Sequence, residues 1–439
     1  MFTKKIVYLS LFAGLLAFVS CNNDENVILQ QETAATKKIV LQGVEPSEGL
    51  FPEDDGSISL AKQDPNVQLY YLLRHADDTL GTSMGTVQIS TSEYNTIAKT
   101  VETIVKGKTT EKQKYDAIFK WVVDNVKYDY EGANIGQTAY YTFTNHLANC
   151  QGYSNLMNVM THCAGLRSFN VNGYLIYNGA YLGHAWGYVC AGGQWYVCDA
   201  TNNRQWSASN PTNYKDKLCP QSTDVPIYND DSFTYSFYNG GFGITNVKVK
   251  NQSTLVVPFS KNGIQINVFN PFNVLSTNIK EIYLGKNITT IGDSYSLGLR
   301  IFDSKSLEAV HVDPQNETLA SHKGIVYRRN GEELQLLYIP TGTDYVELSP
   351  KLYSVEKETL SNNTNVNVLY IPEGVQVVEQ YAVENCPNLH FIYVPENIKY
   401  CDDNGNLKDK YTSKTFSGVA GDCQIIKGPV PTGIVEVKL

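Results

Sequence analysis

Two amphipathic segments in the first half of the chain predict a pair of helices. In the first, apolar residues recur at intervals of three and four over residues 94–105, and Gly107 follows where a helix would end. In the second, Thr110 and Gln113 have the spacing of a capping box and precede an apolar face over residues 115–126. Each predicted helix therefore has one side to bury.

A third helix is predicted in NCQGYSNLMNVMTHCAGL, residues 149–166. Asn149 stands where an N-cap belongs, which makes Cys150 the first helical residue, and Gly165 stands where a left-handed residue would end the helix. The side expected to be buried carries Leu156, Met157, Val159, Met160 and Cys163.

Three strands are predicted next, over residues 169–179, 183–190 and 194–201. The Gly192-Gly193 pair between the last two strands is typical of a two-residue hairpin turn. Helices followed by an antiparallel sheet predict an α+β domain.

A repeat with a constant step occupies the C-terminal part of the chain. The segments DYVELSPKLYSV, NVLYIPEGVQVV and HFIYVPENIKYC place their apolar anchors Leu348, Ile371 and Val394 at steps of 23 residues. Looser copies occupy residues 279–292, 307–319 and 334–340. One short apolar strand per unit and a step in the twenties predict a β-rich leucine-rich-repeat solenoid in preference to a run of hairpins.

The first 20 residues have the pattern of a signal peptide. Two lysines precede an apolar run that is too short to span a membrane, and a small residue precedes Cys21. The segment Val19-Ser20-Cys21 resembles a bacterial lipoprotein box, which implies that Cys21 is lipidated; an ordinary secreted protein is the alternative. Residues 21–38 are polar, so we expect a tether that holds the protein by its lipid at the outer membrane or cell surface of a bacterial envelope.

Length and charge narrow the class of partner. A chain of 439 residues is expected to contain more than one domain. Its formal charge is −9, and removal of a signal peptide with Lys4 and Lys5 would leave −11. The sequence has no dense basic block, so we expect no nucleic-acid partner. It also has no EF-hand loop and no paired Cys/His spacing, so we expect no metal and no cofactor.

The nine cysteines leave the thiol chemistry open. If Cys21 carries lipid and one thiol is a nucleophile, seven remain, so at least one more thiol is expected to be free. Cys401 and Cys423 flank a loop rich in Gly, Asp and Lys and are the pair we favour for a disulfide. Cys386 falls at a consensus position of the repeat and is expected in the core.

Cys150, His184 and Asp199 are the candidate catalytic residues. Unpaired N–H groups and the dipole at a helix start stabilise a thiolate, and the same N–H groups can bind an oxyanion. A turn at Gly192-Gly193 fixes the hairpin register, and side-chain alternation then places His184 and Asp199 on one face as diagonal neighbours. One ring nitrogen would bond Asp199 and leave the other for Cys150. A shift of one residue in register would separate the two side chains.

Residues 112–204 resemble the transglutaminase-like domain, which has a papain-type fold. The matching motifs are YDAIFKWVVDNVKYDY, NCQGYSNLMNVMTHCAGL, HAWGYV and GGQWYVCDAT. The resemblance implies that Cys150 is the nucleophile, that His184 is the acid and base, and that Asp199 orients the imidazole.

Two departures from the family pattern lie beside these motifs. Gly187 stands where Asn is common, and Asn202-Asn203 stand where Trp-Asp is common. Neither departure is expected to contact the triad, although both could alter substrate choice. The second oxyanion donor stays open, with Gln137, Tyr140 and Tyr141 as candidates.

The repeats resemble the BspA-type leucine-rich repeats of bacterial surface proteins over residues 279–400. That resemblance implies adhesion or ligand capture on an extended surface. The predicted layout is a signal peptide over 1–20, a lipidated tether over 21–38, a small β-containing lead-in over 39–90, the transglutaminase-like domain over 91–235 and the leucine-rich-repeat domain over 236–439.

Two functions are compatible with these patterns. The first is a surface lipoprotein enzyme that attacks amide bonds of protein or peptide substrates through a thioester on Cys150, with water or an amine in the second step. The repeats would then hold a host or bacterial surface ligand near the site. The second is a non-catalytic adhesin whose transglutaminase-like unit is only a scaffold. A structural disulfide at Cys150 is the remaining alternative.

Overall fold

The computed structural model describes residues 36–130, 136–271, 278–292, 306–430 and 433–438. The predicted signal peptide, Cys21 and most of the predicted tether lie outside these residues. Within the described ranges, no helix is both long and apolar enough to cross a membrane.

Five α-helices form among the described residues, and the three predicted ones are among them. Their bounds are Pro65–His75 (α1), Thr91–Val105 (α2), Glu111–Asn125 (α3), Ala139–Asn145 (α4) and Cys150–Cys163 (α5). Thr110 and Gln113 close the predicted capping box of α3, and Asn149 caps α5 as predicted. Gly165 has a φ of +76°, which confirms the left-handed residue after α5.

The strands fall into three groups along the chain. The first group is Thr36–Val40 (β1), Lys127–Tyr128 (β2), Leu147–Ala148 (β3), Arg167–Tyr177 (β4), Ala180–Ala191 (β5), Gln194–Asp199 (β6), Arg204–Ser207 (β7), Leu218–Thr223 (β8), Tyr228–Asn229 (β9), Phe233–Tyr238 (β10) and Gly241–Val247 (β11). The second is Thr254–Val256 (β12), Ser260–Lys261 (β13), Ile264–Gln265 (β14), Val268–Phe269 (β15), Glu281–Leu284 (β16), Thr290–Ile291 (β17), Ala309–Val312 (β18), Leu319–His322 (β19), Ile325–Asn330 (β20) and Glu333–Tyr338 (β21). The third is Tyr345–Glu347 (β22), Ser354–Val355 (β23), Leu360–Ser361 (β24), Val368–Tyr370 (β25), Val377–Val378 (β26), Val383–Cys386 (β27), Phe391–Val394 (β28), Lys399–Cys401 (β29), Leu407–Lys408 (β30), Phe416–Val419 (β31), Gln424–Lys427 (β32) and Ile434–Lys438 (β33).

A ten-stranded sheet forms the centre of the α+β part. Its order is β17-β15-β11-β10-β8-β4-β5-β6-β7, with β9 paired to β10. Cys190 pairs with Trp195 and Ala191 with Gln194, so the predicted hairpin register is confirmed. Helices α2, α3 and α5 share a core with β5 and β6, to which Ile97, Tyr115, Ile118, Leu156, Val189 and Cys198 contribute.

The sheet continues into the solenoid without a break. Strand β11 pairs in parallel with β15, and β15 pairs in parallel with β17. The predicted domain boundary between residues 235 and 236 falls inside β10, which is paired along its length with β11. The structure therefore does not separate the two regions at that position, because hydrogen bonds of one sheet cross it.

The 23-residue step corresponds to one turn of a parallel β-solenoid. Tyr345 pairs with Val368 and Val368 with Phe391, so β22, β25 and β28 stack in register. The anchors Leu348, Ile371 and Val394 are all fully buried, as the pattern predicted. Strands β23, β26 and β29 and strands β24, β27 and β31 form two further stacks.

The looser copies differ from one another in the structure. Strands β16 and β18, from the copies at 279–292 and 307–319, pair in parallel as solenoid turns should. The copy at 334–340 contributes β21, which instead pairs antiparallel with β20. The chain reverses at Gly331, whose φ of +65° favours a tight turn, so β21 folds back on its neighbour.

Residues 36–60, which we call the N-terminal strap, run along the solenoid and do not form a separate β-rich unit. Strand β1 pairs antiparallel with β33, and Ile39 is buried against Tyr345, Val368 and Tyr393 of the repeats. Further contacts to the repeats and the loops between them are made by Lys37 with Asp344, Glu45 with Lys323, Ser47 with Tyr283, Asp54 with Lys286 and Asp55 with Ser260.

The predicted small β-containing lead-in over 39–90 is therefore wrong in form. Its first part is the strap, and its middle is the helix α1, which packs Leu69 and Leu72 into the core shared by the sheet and the first solenoid turns. The segment has too few apolar residues to form a core of its own, so it buries them against other parts of the chain.

All eight cysteines among the described residues are free thiols, so the expected Cys401–Cys423 disulfide is wrong. Cys401 ends β29, which turns back into β30, whereas Cys423 precedes β32 in a different sheet. Cys386 is fully buried in the repeat core, as predicted.

Candidate active site

Cys150 is the first residue of α5, and two side chains fix the start of this helix. Asn149 Oδ1 accepts hydrogen bonds from the backbone N–H groups of Gln151 (2.9 Å) and Gly152 (3.4 Å). Gln137 Oε1 accepts from the N–H groups of Asn149 (3.3 Å) and Gly152 (3.1 Å). The half-buried Cys150 thiol therefore sits on a helix end whose polar groups are held in place.

The close packing at this helix end depends on Gly152. A Cβ at this position would lie 2.7 Å from both Ala148 Cβ and Thr142 Oγ1 and 2.8 Å from Gln137 Oε1. Because real Cβ atoms do not approach this closely, glycine is required for α4 and the segment around Gln137 to reach the nucleophile's helix.

His184 and Asp199 form a buried hydrogen-bonded pair on the hairpin of β5 and β6. His184 Nε2 lies 3.0 Å from Asp199 Oδ1, with His184 8% exposed and Asp199 fully buried. Because Asp199 engages Nε2, Nδ1 is the ring nitrogen left for Cys150, which lines the same cavity as His184. The structure thus brings the three predicted residues together.

The charges of the site favour a thiolate beside an imidazolium. Burial alone would raise the pKa of the Cys150 thiol, but hydrogen bonds from His184 and from the backbone of Ala185 and Gln151 lower it below its usual value. Burial would likewise lower the pKa of His184, but the hydrogen bonds and charges of Asp199 and Cys150 raise it to about 9. The proton is therefore expected to reside on the imidazole at neutral pH.

This set of groups defines a class of chemistry. A helix-start thiolate, a protonated base in contact with it and a carboxylate that orients the base are the parts of a cysteine-nucleophile acyl-transfer site. The backbone N–H group of Cys150, the first residue of α5, can stabilise the oxyanion that forms during attack on a carbonyl, because the next two N–H groups donate to Asn149 and Gln137.

Asn202 contacts the His184–Asp199 pair. The expectation that the two departures from the family pattern would not contact the triad is therefore wrong for Asn202. Its Nδ2 donates to Asp199 Oδ2 (2.9 Å) and lies 3.4 Å from His184 Nε2. A short 3-10 turn, Ala200–Asn202, brings Asn202 back over Asp199, and the sequence pattern gave no sign of this turn. Gly187 pairs with Cys198 away from the pair, as expected.

The three candidate oxyanion donors occupy different places. Gln137 contacts the start of α5 through its side chain, as described above. Tyr140 lies on α4 and packs against the helical core, and the Tyr141 ring packs beside Gly136. Of these three, Gln137 is the one with a hydrogen bond to the nucleophile's helix.

Cys150 and His184 open into a cavity of about 430 Å³, the active-site cavity. One wall comes from β4 and β5, and the other comes from β8 and the turn between β10 and β11. The side chains and backbone that line these walls belong to Gln151, Asn172, Gly173, Tyr174, Ala185, Gln221, Ser222, Tyr238 and Asn239. The second wall thus belongs to the part of the sheet that leads into the solenoid.

Comparisons with known families agree with this fold. The sequence model of the transglutaminase-like superfamily matches residues 98–200. The model of the BspA type leucine rich repeat region matches residues 340–407 in six copies. The chain therefore carries a transglutaminase-like domain followed by BspA-type leucine-rich repeats. Comparison with curated proteins gives no match.

Several solved structures are similar to parts of the chain. A protein of Cytophaga hutchinsonii named as a candidate cysteine protease is 17% identical, over 42% of this chain and 65% of its own, with a TM-score of 0.26. A leucine-rich repeat protein of Eubacterium ventriosum is 21% identical, over 28% of this chain and 32% of its own, with a TM-score of 0.22. A structure described as a TGase is 20% identical, over 26% of this chain and 34% of its own, with a TM-score of 0.23.

Proposed function

We propose that this protein is a surface lipoprotein enzyme that attacks amide bonds of protein or peptide substrates through a thioester on Cys150. The single observation that supports this most strongly is that Cys150 and His184 line one open cavity while Asp199 bonds the far side of the imidazole. The lowered pKa of the thiol and the raised pKa of the imidazole give the protonation states that such an attack needs.

The first half-reaction forms the thioester. Cys150 Sγ attacks the carbonyl carbon, and the oxyanion that develops is stabilised by the backbone N–H group of Cys150 at the start of α5. The His184 imidazolium then gives its proton to the amide nitrogen, the C–N bond breaks, and the amine leaves. Asp199 keeps the ring oriented during this transfer and stabilises its positive charge.

The second half-reaction releases the acyl group. Neutral His184 takes a proton from water or from an amine, whose oxygen or nitrogen attacks the thioester carbonyl. The C–S bond breaks, and the thiolate and imidazolium are restored. Water gives a carboxylic acid, as in a peptidase or deamidase, and an amine gives a new amide, as in a transglutaminase.

We also propose that the repeats contribute to target binding and that lipid on Cys21 holds the protein at the bacterial cell surface. The second wall of the active-site cavity supports the first point, since Tyr238 and Asn239 lie where the sheet passes into the solenoid. A target held by the repeats would be presented to Cys150 at high effective concentration. The N-terminal strap covers Tyr345, Val368 and Tyr393, so target binding is assigned to other faces of the solenoid.

The proposal is tested by labelling with a peptidyl vinyl sulfone, an amide mimic that alkylates active thiols, followed by peptide mapping. Wild type and Cys163→Ala, a control in the same helix, should be modified at Cys150, and Cys150→Ala should not be modified. Casein incubated with and without the fluorescent amine dansylcadaverine then separates hydrolysis from amine incorporation. Absence of Cys150 labelling, together with absence of both reactions on casein, would favour the adhesin.

A further inference from the structure

A second cavity adjoins the active-site cavity. This second cavity has a volume of about 320 Å³ and shares Ser222 and Tyr238 with the first. Its lining is rich in hydroxyl groups, contributed by Thr86, Thr223, Thr234, Ser236 and Thr245. Ser222 and Tyr238 therefore mark the side of the active-site cavity on which the second cavity lies.

Asp224 is the carboxylate of this second cavity. Among the described residues that line the two cavities, only His184 and Asp224 have a carboxylate, imidazole, ammonium or guanidinium group. Asp224 is connected to the first cavity by a hydrogen bond, because Asn172, which lines that cavity, donates from Nδ2 to Asp224 Oδ1 at 3.1 Å. No lysine or arginine among these lining residues balances its charge.

Hydrogen bonds through the buried Asn170 connect Asp224 to the residue next to the nucleophile. Gln151, next to Cys150, donates from Nε2 to Asn155 Oδ1 at 3.0 Å, and Asn170 Nδ2 donates to the same oxygen at 2.8 Å. The side chain of Asn170 also hydrogen-bonds with the carboxylate of Asp224, whose backbone N–H donates to Asn170 O at 3.0 Å. The carboxylate is therefore preorganised with respect to α5.

The surroundings of Asp224 lack positive charge. Burial raises the pKa of its carboxyl group, and hydrogen bonds from Thr86, Asn170 and Asn172 offset only part of this effect. An added cation would stabilise the ionised carboxylate, and nearby hydroxyl groups could accept the remaining N–H bonds of an ammonium group.

We infer that the second cavity binds a primary ammonium group of the peptide substrate, which pairs with Asp224. The group is either the α-amine or a lysine side chain, which have the same chemistry. This inference rests on the proposed function, since it places the substrate's reactive carbonyl at Cys150.

The test uses tripeptidyl vinyl sulfones in matched pairs. In one series, each pair has lysine in one probe and Nε-acetyl-lysine in the other at the same position of the tripeptide. In the second series, the two probes of a pair differ only in whether the α-amine is free or acetylated. Wild type is expected to react at Cys150 about tenfold faster with one amine-bearing probe than with its acetylated partner. Asp224→Asn should lose this preference, so that the ratio of its rates with the two probes falls to about one, and Asp224→Glu should restore part of the preference. The series that shows the preference identifies the α-amine or the lysine.

Two further variants separate recognition from folding. Asp216→Asn removes an exposed carboxylate outside both cavities and should keep the preference. Thr234→Lys introduces a competing cation into the second cavity and should reduce the preference even if Asp224→Asn is unstable. Equal rates for all acetylated and free pairs in wild type, or an unchanged preference in Asp224→Asn, would overturn the inference. Failure of every probe to label Cys150 would instead contradict the proposed function.

Discussion

Replacement of Asp199 by Asn should weaken the ion pair between Cys150 and His184. Asp199 is fully buried, and its Oδ1 lies 3.0 Å from His184 Nε2. Asparagine has nearly the same shape but no negative charge. Its amide N–H group would also face Asn202 Nδ2, which now donates to Asp199 Oδ2, so one hydrogen bond is lost as well.

The magnitude follows from the pKa of His184. A rise from 6.5 to about 9 corresponds to about 3 kcal/mol in favour of the imidazolium, since a tenfold change in protonation is about 1.4 kcal/mol. Asp199 makes the strongest favourable contribution, followed by Cys150. If Asp199 supplies about half of this free energy, its loss costs the imidazolium about 1.5 kcal/mol. Asp199→Asn then lowers the thiolate population roughly tenfold at a pH below the pKa of the variant's thiol.

The loss of Asp199 should also change the pH range in which the thiolate and imidazolium coexist. The wild-type ion pair is lost as pH falls through the lowered pKa of Cys150 and as pH rises through about 9, where His184 loses its proton. In Asp199→Asn the imidazolium is lost at a lower pH and the thiolate forms at a higher pH. The window in which the ion pair exists should therefore become narrower from both sides.

The assay is the rate of iodoacetamide alkylation of Cys150 as a function of pH, with each modified cysteine identified by peptide mapping. The buried Cys198 and the half-buried Cys423 serve as slow internal controls, because burial raises the pKa of each thiol to about 12. Asp216→Asn, at an exposed position, is the matched control and should leave the profile unchanged. An unaltered profile in a folded Asp199→Asn protein would refute the role assigned to Asp199.

Two further predictions concern the elements that position the site and the strap. Asn149→Ala should lower the free energy of unfolding by about 0.5–2 kcal/mol in denaturant titrations and slow Cys150 alkylation, because the Gln151 N–H group loses its acceptor and the Gly152 N–H group keeps only Gln137. Ser90→Ala, at the corresponding cap of α2, should lower stability similarly without changing alkylation. Ile39→Ala should make the strap susceptible to limited proteolysis, because Ile39 is fully buried against the repeats. The free energy of unfolding should fall by at most about 5 kcal/mol. Val40→Ala, 55% exposed, should do neither, and equal cleavage of both variants would contradict the packing of the strap.

The local sequence determined the elements that carry the site. The capping box at Thr110, the N-cap Asn149 and the turn at Gly192-Gly193 each act within a few residues, so the pattern alone predicted α3, the start of α5 and the hairpin register. Alternation along that hairpin then placed His184 and Asp199 on one face. The 23-residue step determined the solenoid for a similar reason, because each repeat pairs only with its neighbours.

Only the tertiary structure decided which distant parts of the chain meet. The contact of Asn202 with Asp199 depends on a single 3-10 turn, and the position of Asp224 beside the active-site cavity depends on how β8 pairs with β4. The strap could not be predicted because its partners lie hundreds of residues away, as Lys37 with Asp344 illustrates. Such contacts depend on surface that the rest of the chain creates when it folds and that a distant segment then covers. No local pattern in the sequence specifies that surface.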